Sequence, residues 1–177
     1  MKPNIYTVIP ARGGSKSVPR KNIKLLNGNP LIKYSIDYSK SSSLVNRTIV
    51  STDDDEISKI AQDLGVDVPF MRPRSLGGDL VKDYPVILHA LNTMEDIYKE
   101  TIDIIVLLRP TSPLRPPNLI ESGISLLRKD PNATSVRAVA PSKEHPYRQW
   151  KLKEGYISGF SDDLSSELEP FTLPRQE

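Results

Sequence analysis

The sequence predicts an α/β protein: a doubly wound, mostly parallel sheet with helices on both faces, in a Rossmann-like three-layer α/β/α arrangement. Three observations lead there. Short β-branched apolar runs, IYTVIPA, RTIVST and IDIIVLL, stop abruptly at polar or proline-rich residues, as strands buried on both faces do. Segments with apolar residues at helical spacing lie between them. Strands alternating with helices imply parallel crossover connections, and these place helices on both faces of the sheet.

In chain order, IYTVIPA is closed by Pro10 and the Gly13-Gly14 pair and reads as the first strand. PLIKYSIDYSKSS carries Leu31, Ile32, Tyr34, Ile36 and Tyr38 at helical spacing, with Pro30 suited to a first turn. RTIVST is strand-like and runs into DDDEISKIAQDLG, where an Asp cap, early acids and a closing Gly65 outline a helix. PFMRPRSLGGD reads as a loop and DYPVILHALNTMEDIYKE as a helix. IDIIVLL is the strongest buried-strand signal; it ends in RPTSPLRPP, whose four prolines exclude regular structure. NLIESGISLLRK is expected to be helical, SVRAVAP to be a strand, and the remainder to be polar and irregular. No internal repeat or low-complexity tract occurs. The 177 residues suffice for one domain with a sizeable core, so residues 1–177 are expected to form a single domain.

Composition removes several classes of function. The chain is 37% hydrophobic and 26% charged, as soluble globular proteins are. It has no cysteine, which excludes disulfides and thiolate metal sites and suits a reducing cytoplasm. No apolar run approaches the roughly 20 residues that span a bilayer, and the N-terminus becomes polar too early for a signal peptide. The expected location is cytoplasmic, without a membrane partner. A net charge of +2 is weak support for a nucleic-acid partner, and none is expected. The charge is unevenly placed, however. Residues 1–50 hold nine Lys/Arg and one acid, Asp37, for a net of +8, while the rest of the chain carries −6. That asymmetry points to an anion site near the N-terminus.

In open sheets of this kind, ligands bind beyond the carboxyl ends of the strands. Three unusual segments, ARGGSKSVPRKN, STDDDE and RPTSPLR, follow three predicted strands and so define one candidate rim. In the first, Gly13 and Gly14 let backbone amides approach an anion, and Ser15 adds a hydroxyl. Arg12, Lys16, Arg20, Lys21 and Lys24 supply charge, arginine as a bidentate fork and lysine as a point charge. The segment is neither G-x-x-x-x-G-K-[ST] nor G-x-G-x-x-G, so it supports neither a P-loop nor an NAD-dependent oxidoreductase. These residues define a phosphate-rich ligand without naming it.

RPRSLGGD adds Arg72, Arg74 and a second glycine pair, or is simply a surface turn. Asp53, Asp54 and Asp55 could hold Mg²⁺, although acids opening a helix are favoured by its dipole without any metal. RPTSPLR brings Arg109, Thr111, Ser112 and Arg115, suited to a carboxylate or hydroxylated ligand. His89 falls in a helix and reads as packed or surface-lying. His145, near Tyr147, Arg148 and Trp150, is a candidate substrate contact. No G-x-S-x-G elbow or triad spacing marks a nucleophile.

IPARGGSKSVPRKN, followed in order by LNGNPLI, IVSTDDDEI, RP…LGGD and LLRPTSPLR, closely resembles the acylneuraminate cytidylyltransferase family, the CMP-sialic acid synthetases and their relatives; the resemblance runs from residue 5 to residue 176. It implies a nucleotide-diphospho-sugar transferase-like fold, a homodimer and a Mg²⁺ requirement. The implied reaction is transfer of CMP from CTP to a nine-carbon (nonulosonic, sialic acid-like) sugar acid, with release of pyrophosphate.

By the same resemblance, Arg12, Ser15 and Lys21, with the backbone of Gly13 and Gly14, grip the triphosphate, and Arg12 and Lys21 are the catalytic candidates. Lys16 assists, Asn22 supports the loop and the nucleotide, Arg72 faces phosphates or ribose, and Gly78 and Asp79 match the segment that reads cytosine. Arg109, Thr111 and Ser112 border the sugar, and Arg175 and Gln176 match a sugar-binding stretch. Where Arg109 stands the sialic acid enzymes typically have glutamine, which leaves open a different acceptor or a nucleotidyltransferase for another sugar. Family members also continue past the position of Glu177 by about a quarter of their length. The resemblance assigns part of the dimer contact and the Mg²⁺ aspartates to that stretch, so no metal ligand is assigned here. A shortened protein that binds nucleotide without turnover is the alternative.

Overall fold

The computed structural model describes residues 3–140 and 150–159. The chain divides into two compact units, Met1–Val136 and Arg137–Glu177.

The first unit is built on a parallel sheet of β1 (Ile5–Pro10), β4 (Arg47–Ser51) and β5 (Ile104–Leu107), in the order β4-β1-β5. Tyr6 pairs with Arg47 and Pro10 with Ser51 on one side of β1; Ile5 pairs with Ile104 and Val8 with Leu107 on the other. The chain thus leaves the central strand for one neighbour and later returns to the opposite side. The sheet's switch point is therefore at the carboxyl ends of β1 and β5.

Period-two alternation sorts the strand residues between two cores. Ile5 and Ile9 of β1, Val50 of β4, and Ile104 and Val106 of β5 pack with α1 (Leu31–Lys40), α2 (Asp55–Asp63) and α4 (Leu119–Lys129), through Ile32, Ile36, Ile57, Ala61, Ile120 and Ile124. Tyr6, Val8, Ile49 and Ile105 face the other way, onto Ala90 and Met94 of α3 (Asp83–Tyr98). Helices therefore cover both faces, as the sequence predicts. His89 is a packed side chain of α3, edge-on to Phe70 with ring centroids 5.2 Å apart.

The helix signals have direct structural counterparts. Asp54 caps α2, its Oδ1 accepting the Ile57 amide at 3.0 Å. Gly65, just beyond that helix, has φ of 72°, the left-handed geometry a C-terminal glycine supplies. Pro30 immediately precedes α1.

Three segments differ from expectation. Asn27 and Gly28, with φ of 47° and 76°, turn a small hairpin between β2 (Leu25–Leu26) and β3 (Asn29–Pro30), for which the Asn-Gly pair is the local signal. SVRAVAP forms no strand within its described residues: residues 134–140 are irregular and Val139 is 89% exposed. β-branched composition favours an extended chain, but only a partner ladder makes a strand. In the second unit, where irregular structure is expected, β6 (Trp150–Lys153) and β7 (Tyr156–Gly159) form a hairpin. Its two turn residues, Glu154 and Gly155, both have positive φ, 53° and 85°.

Candidate active site

Four loops build the site. The first begins where β1 ends: the Ala11 amide donates to Ser51 O at 2.9 Å, carrying the pairing with β4 one residue further. The chain then turns through Gly13 and Gly14. The Gly13 amide donates to Asp53 Oδ1 at 2.9 Å, and a β-carbon on Gly13 would stand 2.5 Å from Asp54 Oδ2. Gly14 has open space around it. Glycine at 13 is thus demanded by the close approach of the β4 loop.

The far side of this first loop is tied down by Arg20 and Asn22. Arg20 adopts the left-handed conformation, φ 55°, at the start of a short 3-10 turn, Lys21–Ile23. Its guanidinium pairs with both Asp54 and Glu56. Arg20 holds the Asp54 carboxyl below the usual range, with the Ile57 amide helping. Buried Asn22 donates from Nδ2 to the Arg12 carbonyl at 2.9 Å, which closes the loop on itself. Lys21, half-buried, makes no ion pair among the described residues.

A second cation arrives from a segment not expected to join the sheet. Ile49 bridges Asp67 and Thr52 bridges Met71, both parallel, so residues 67–71 run along the outer edge of β4. The Arg72 amide then donates to Thr52 O at 2.7 Å. This places the Arg72 side chain under the end of β4, 5% exposed, with Nε donating to Ser51 Oγ at 3.1 Å and Nη2 to Ser51 O. Burial pushes its pKa down, Asp53 opposes that, and the positive charge of Arg12 adds to it. Among the described residues no carboxylate pairs directly with Arg72. A buried guanidinium in that position is stabilised by an anion brought close to it.

The third component is Gly77–Asp79. Arg12 Nη1 donates to Gly77 O at 3.2 Å, and Arg12 Nη2 pairs with Asp79 Oδ1 at 2.6 Å. Lys16 Nζ meets Asp79 Oδ2, also at 2.6 Å. Lys16 first, and Arg12 after it, hold the Asp79 carboxyl below its ordinary range. A β-carbon at Gly77 would press on the Asp53 carboxylate. Asp53 is the post around which both glycine segments fold.

The fourth loop follows β5, whose pairing with β1 continues as Leu108 N donates to Val8 O at 3.1 Å. Arg115 Nη2 donates back to Arg109 O at 2.6 Å, closing the RPTSPLR segment into a ring, and Arg115 Nη1 reaches Ser35 Oγ at 3.2 Å. Thr111 and Ser112 are exposed. Arg109 pairs with Asp83 at the start of α3.

The described candidates on β1 and on the edge of β4 therefore converge: Arg12, Gly13, Gly14, Ser15, Lys16, Asn22, Arg72, Gly78 and Asp79 belong to one mutually contacting set of loops. Arg109, Thr111 and Ser112 stand at the end of β5, on the other side of β1. Arg175, Gln176 and His145 lie outside the described residues. The sequence offers Asp53 as a metal ligand and Arg20 as one of the loop cations, and does not mark Asp83. The cation count marks Arg20, but the roles of Asp53 and Asp83 come from contacts more than 25 residues apart in sequence. Among the described residues no three acidic or histidine side chains gather as a metal ligand set; Asp53 holds an amide and Asp54 an arginine.

A parallel sheet bearing an arginine- and glycine-rich crevice beyond β1 and β4 is the architecture of the nucleotide-diphospho-sugar transferases. Two solved structures share it. CMP:2-keto-3-deoxy-manno-octonic acid synthetase complexed with CTP aligns with a TM-score of 0.60 at 25% identity, over 73% of this chain and 49% of that one. A 4-diphosphocytidyl-2C-methyl-D-erythritol synthase aligns with a TM-score of 0.65 over 94% of this chain and 71% of that one; at 14% identity it speaks for the fold alone.

The cytidylyltransferase family profile matches residues 6–156, and the chain belongs to that family. Among curated relatives, the post-translational flagellin modification protein B of Campylobacter coli is 36% identical, over 81% of this chain and 60% of that protein. The CMP-N,N'-diacetyllegionaminic acid synthase of Legionella pneumophila is 35% identical, over 80% and 60%. A pseudaminic acid cytidylyltransferase of Campylobacter jejuni is 37% identical, over 60% and 46%. The chain thus spans about half the length of the curated relatives it matches.

Proposed function

We propose that this chain carries the CTP-binding half of a cytidylyltransferase that activates a nonulosonic sugar acid. The carrying observation is that Arg12 and Lys16 of the glycine loop meet at Asp79 while buried Arg72 lies at the end of the neighbouring strand, close enough to feel the Arg12 charge. Three cations beside one glycine loop suit a triphosphate better than any singly charged ligand. The named activities of the relatives, on legionaminic, pseudaminic and N-acylneuraminic acids, support the acceptor class.

In the proposed reaction the acceptor's anomeric hydroxyl attacks the α-phosphorus of CTP. A P–O bond forms to the sugar, the bond to the β-phosphate oxygen breaks, and pyrophosphate leaves as the hydroxyl loses its proton. Arg12, Lys16 and Lys21, with the amides near Gly13, Gly14 and Ser15, would neutralise charge building on the leaving pyrophosphate. Asn22 would keep the loop closed by holding the Arg12 carbonyl. Arg72 would meet the phosphates or ribose, and the backbone at Gly78 would border the base. Arg109, Thr111 and Ser112 would meet the acceptor, and Arg175 would pair with its carboxylate beside Gln176. The Mg²⁺ that the resemblance implies finds no ligand cluster among the described residues, so no step is routed through it.

Calorimetric titration with CTP, ATP, GTP and UTP tests the nucleotide half. Selective CTP binding is expected, and equal binding of all four would sink the cytidylyl assignment. Pyrophosphate release in the presence of candidate sugar acids then tests turnover and identifies the acceptor.

A further inference from the structure

Asp79 occupies a position at odds with the electrostatics of a phosphate crevice. Its two carboxylate oxygens are divided between two cations of the first loop, Arg12 and Lys16, each at 2.6 Å. Arg12 completes a fork by donating to Gly77 O from its other terminal nitrogen. Apart from turn hydrogen bonds, side-chain burial does not hold this segment. Gly78 and Asp79 are exposed and Leu80 is 96% exposed, so no apolar burial pins the chain there. The Gly78 carbonyl accepts the Val81 amide at 3.3 Å, the one backbone hydrogen bond of this turn beyond Gly77. The segment is held by the Gly77 and Gly78 backbone hydrogen bonds to Arg74 and Val81 and by the two ion pairs of Asp79.

We infer that Asp79 is an internal occupant of the phosphate site, holding Arg12 and Lys16 until a polyphosphate displaces it. The inference rests on the reading of the crevice as a triphosphate site. A single carboxylate bridging two exposed cations is a modest interaction, because solvent screens it and two long side chains must be ordered. A ligand with one phosphate gains little more from Arg12 and Lys16 than Asp79 already supplies. A triphosphate reaches Arg12, Lys16, Lys21 and Arg72 together, and displaces the carboxylate at a net gain. The same competition would help product release, since Asp79 can reclaim Arg12 and Lys16 once the anion is pyrophosphate.

The test uses inorganic tripolyphosphate and orthophosphate as probes, titrated calorimetrically into the full chain and into Asp79→Asn and Asp79→Glu. Asp79→Asn is expected to bind tripolyphosphate about two- to tenfold more tightly, the range of one or two exposed ion pairs. Orthophosphate, which engages fewer of the cations, should gain no more than tripolyphosphate does. Asp79→Glu keeps the charge and should stay close to the parent. If Asp79→Asn binds tripolyphosphate no better than the parent, or if both variants bind it worse, Asp79 is not a competitor and the inference falls alone. If the parent itself fails to bind tripolyphosphate, the triphosphate site falls and the inference with it.

Discussion

The Gly13 amide donates to Asp53 Oδ1 at 2.9 Å, joining the loop after β1 to the loop after β4 across 40 residues of sequence. The same carboxylate lies where a β-carbon on Gly77 would stand. One carboxylate thus fixes the spacing of both glycine segments, and Arg12 then spans the gap between them to reach Gly77 O and Asp79.

Gly13→Ala is expected to destabilise the protein by about 1–3 kcal/mol, the range for forcing an extra methyl into a filled site, because its β-carbon would press on Asp54 at 2.5 Å. CTP affinity should fall with it. Gly14→Ala meets nothing within 4 Å and should leave the melting temperature nearly unchanged. Equal melting temperatures for the two variants would show that the loop relaxes freely around position 13.

Lys21→Ala should weaken CTP binding by about 1.5–3 kcal/mol, the worth of a charged hydrogen bond, with little change in thermal stability, since Lys21 has no ion-pair partner among the described residues. Unchanged affinity in a calorimetric titration would remove Lys21 from the phosphate site.

The Arg20–Asp54 pair predicts a pH dependence of stability. Arg20 lowers the folded-state pKa of Asp54, so the pair stabilises the fold above the ordinary carboxyl pKa of about 3.9 and ceases to do so as pH falls through the depressed value. With the Arg20 side chain 41% exposed, screening limits the effect to about 1 kcal/mol. Asp54→Asn, which can still cap α2, should therefore be less stable than the parent at pH 7. The difference should shrink below about pH 4. A difference that persists at pH 2 would mean the carboxylate charge is not what stabilises this corner.

The loop after β5 is held by Tyr38 as well as Arg115. Tyr38 Oη donates to Pro116 O at 2.6 Å and accepts the Leu119 amide at 2.9 Å. Tyr38→Phe removes both bonds and should cost about 1–3 kcal/mol in urea unfolding. If these bonds position RPTSPLR for the acceptor, KM for the sugar acid should rise more than KM for CTP; equal changes in both would assign Tyr38 to stability alone.

Arg109→Gln breaks an exposed pair with Asp83 and should alter stability by less than about 1 kcal/mol. It should change which sugar acid is accepted while leaving CTP affinity in place. A change in CTP affinity alone would move RPTSPLR out of the acceptor side of the site.

Much of this protein is legible from local pattern. Apolar β-branched runs that stop at Pro10, Ser51 and Leu108 place the strands, and the Asp54 cap and Gly65 bound a helix, because burial and capping act within a few residues. The rim follows, since ligand loops lie at strand ends. The partners of each charge, by contrast, were decided only by the tertiary structure. Nothing in RPRSLGGD announces that residues 67–71 would lie along β4 and bury Arg72, or that Asp79 would hold Arg12 and Lys16. SVRAVAP has strand composition and no ladder, while WKLKEGYISG forms a hairpin that its polarity concealed. Propensity and periodicity are properties of neighbouring residues, whereas an ion pair or a sheet edge depends on which distant segment the fold brings within reach.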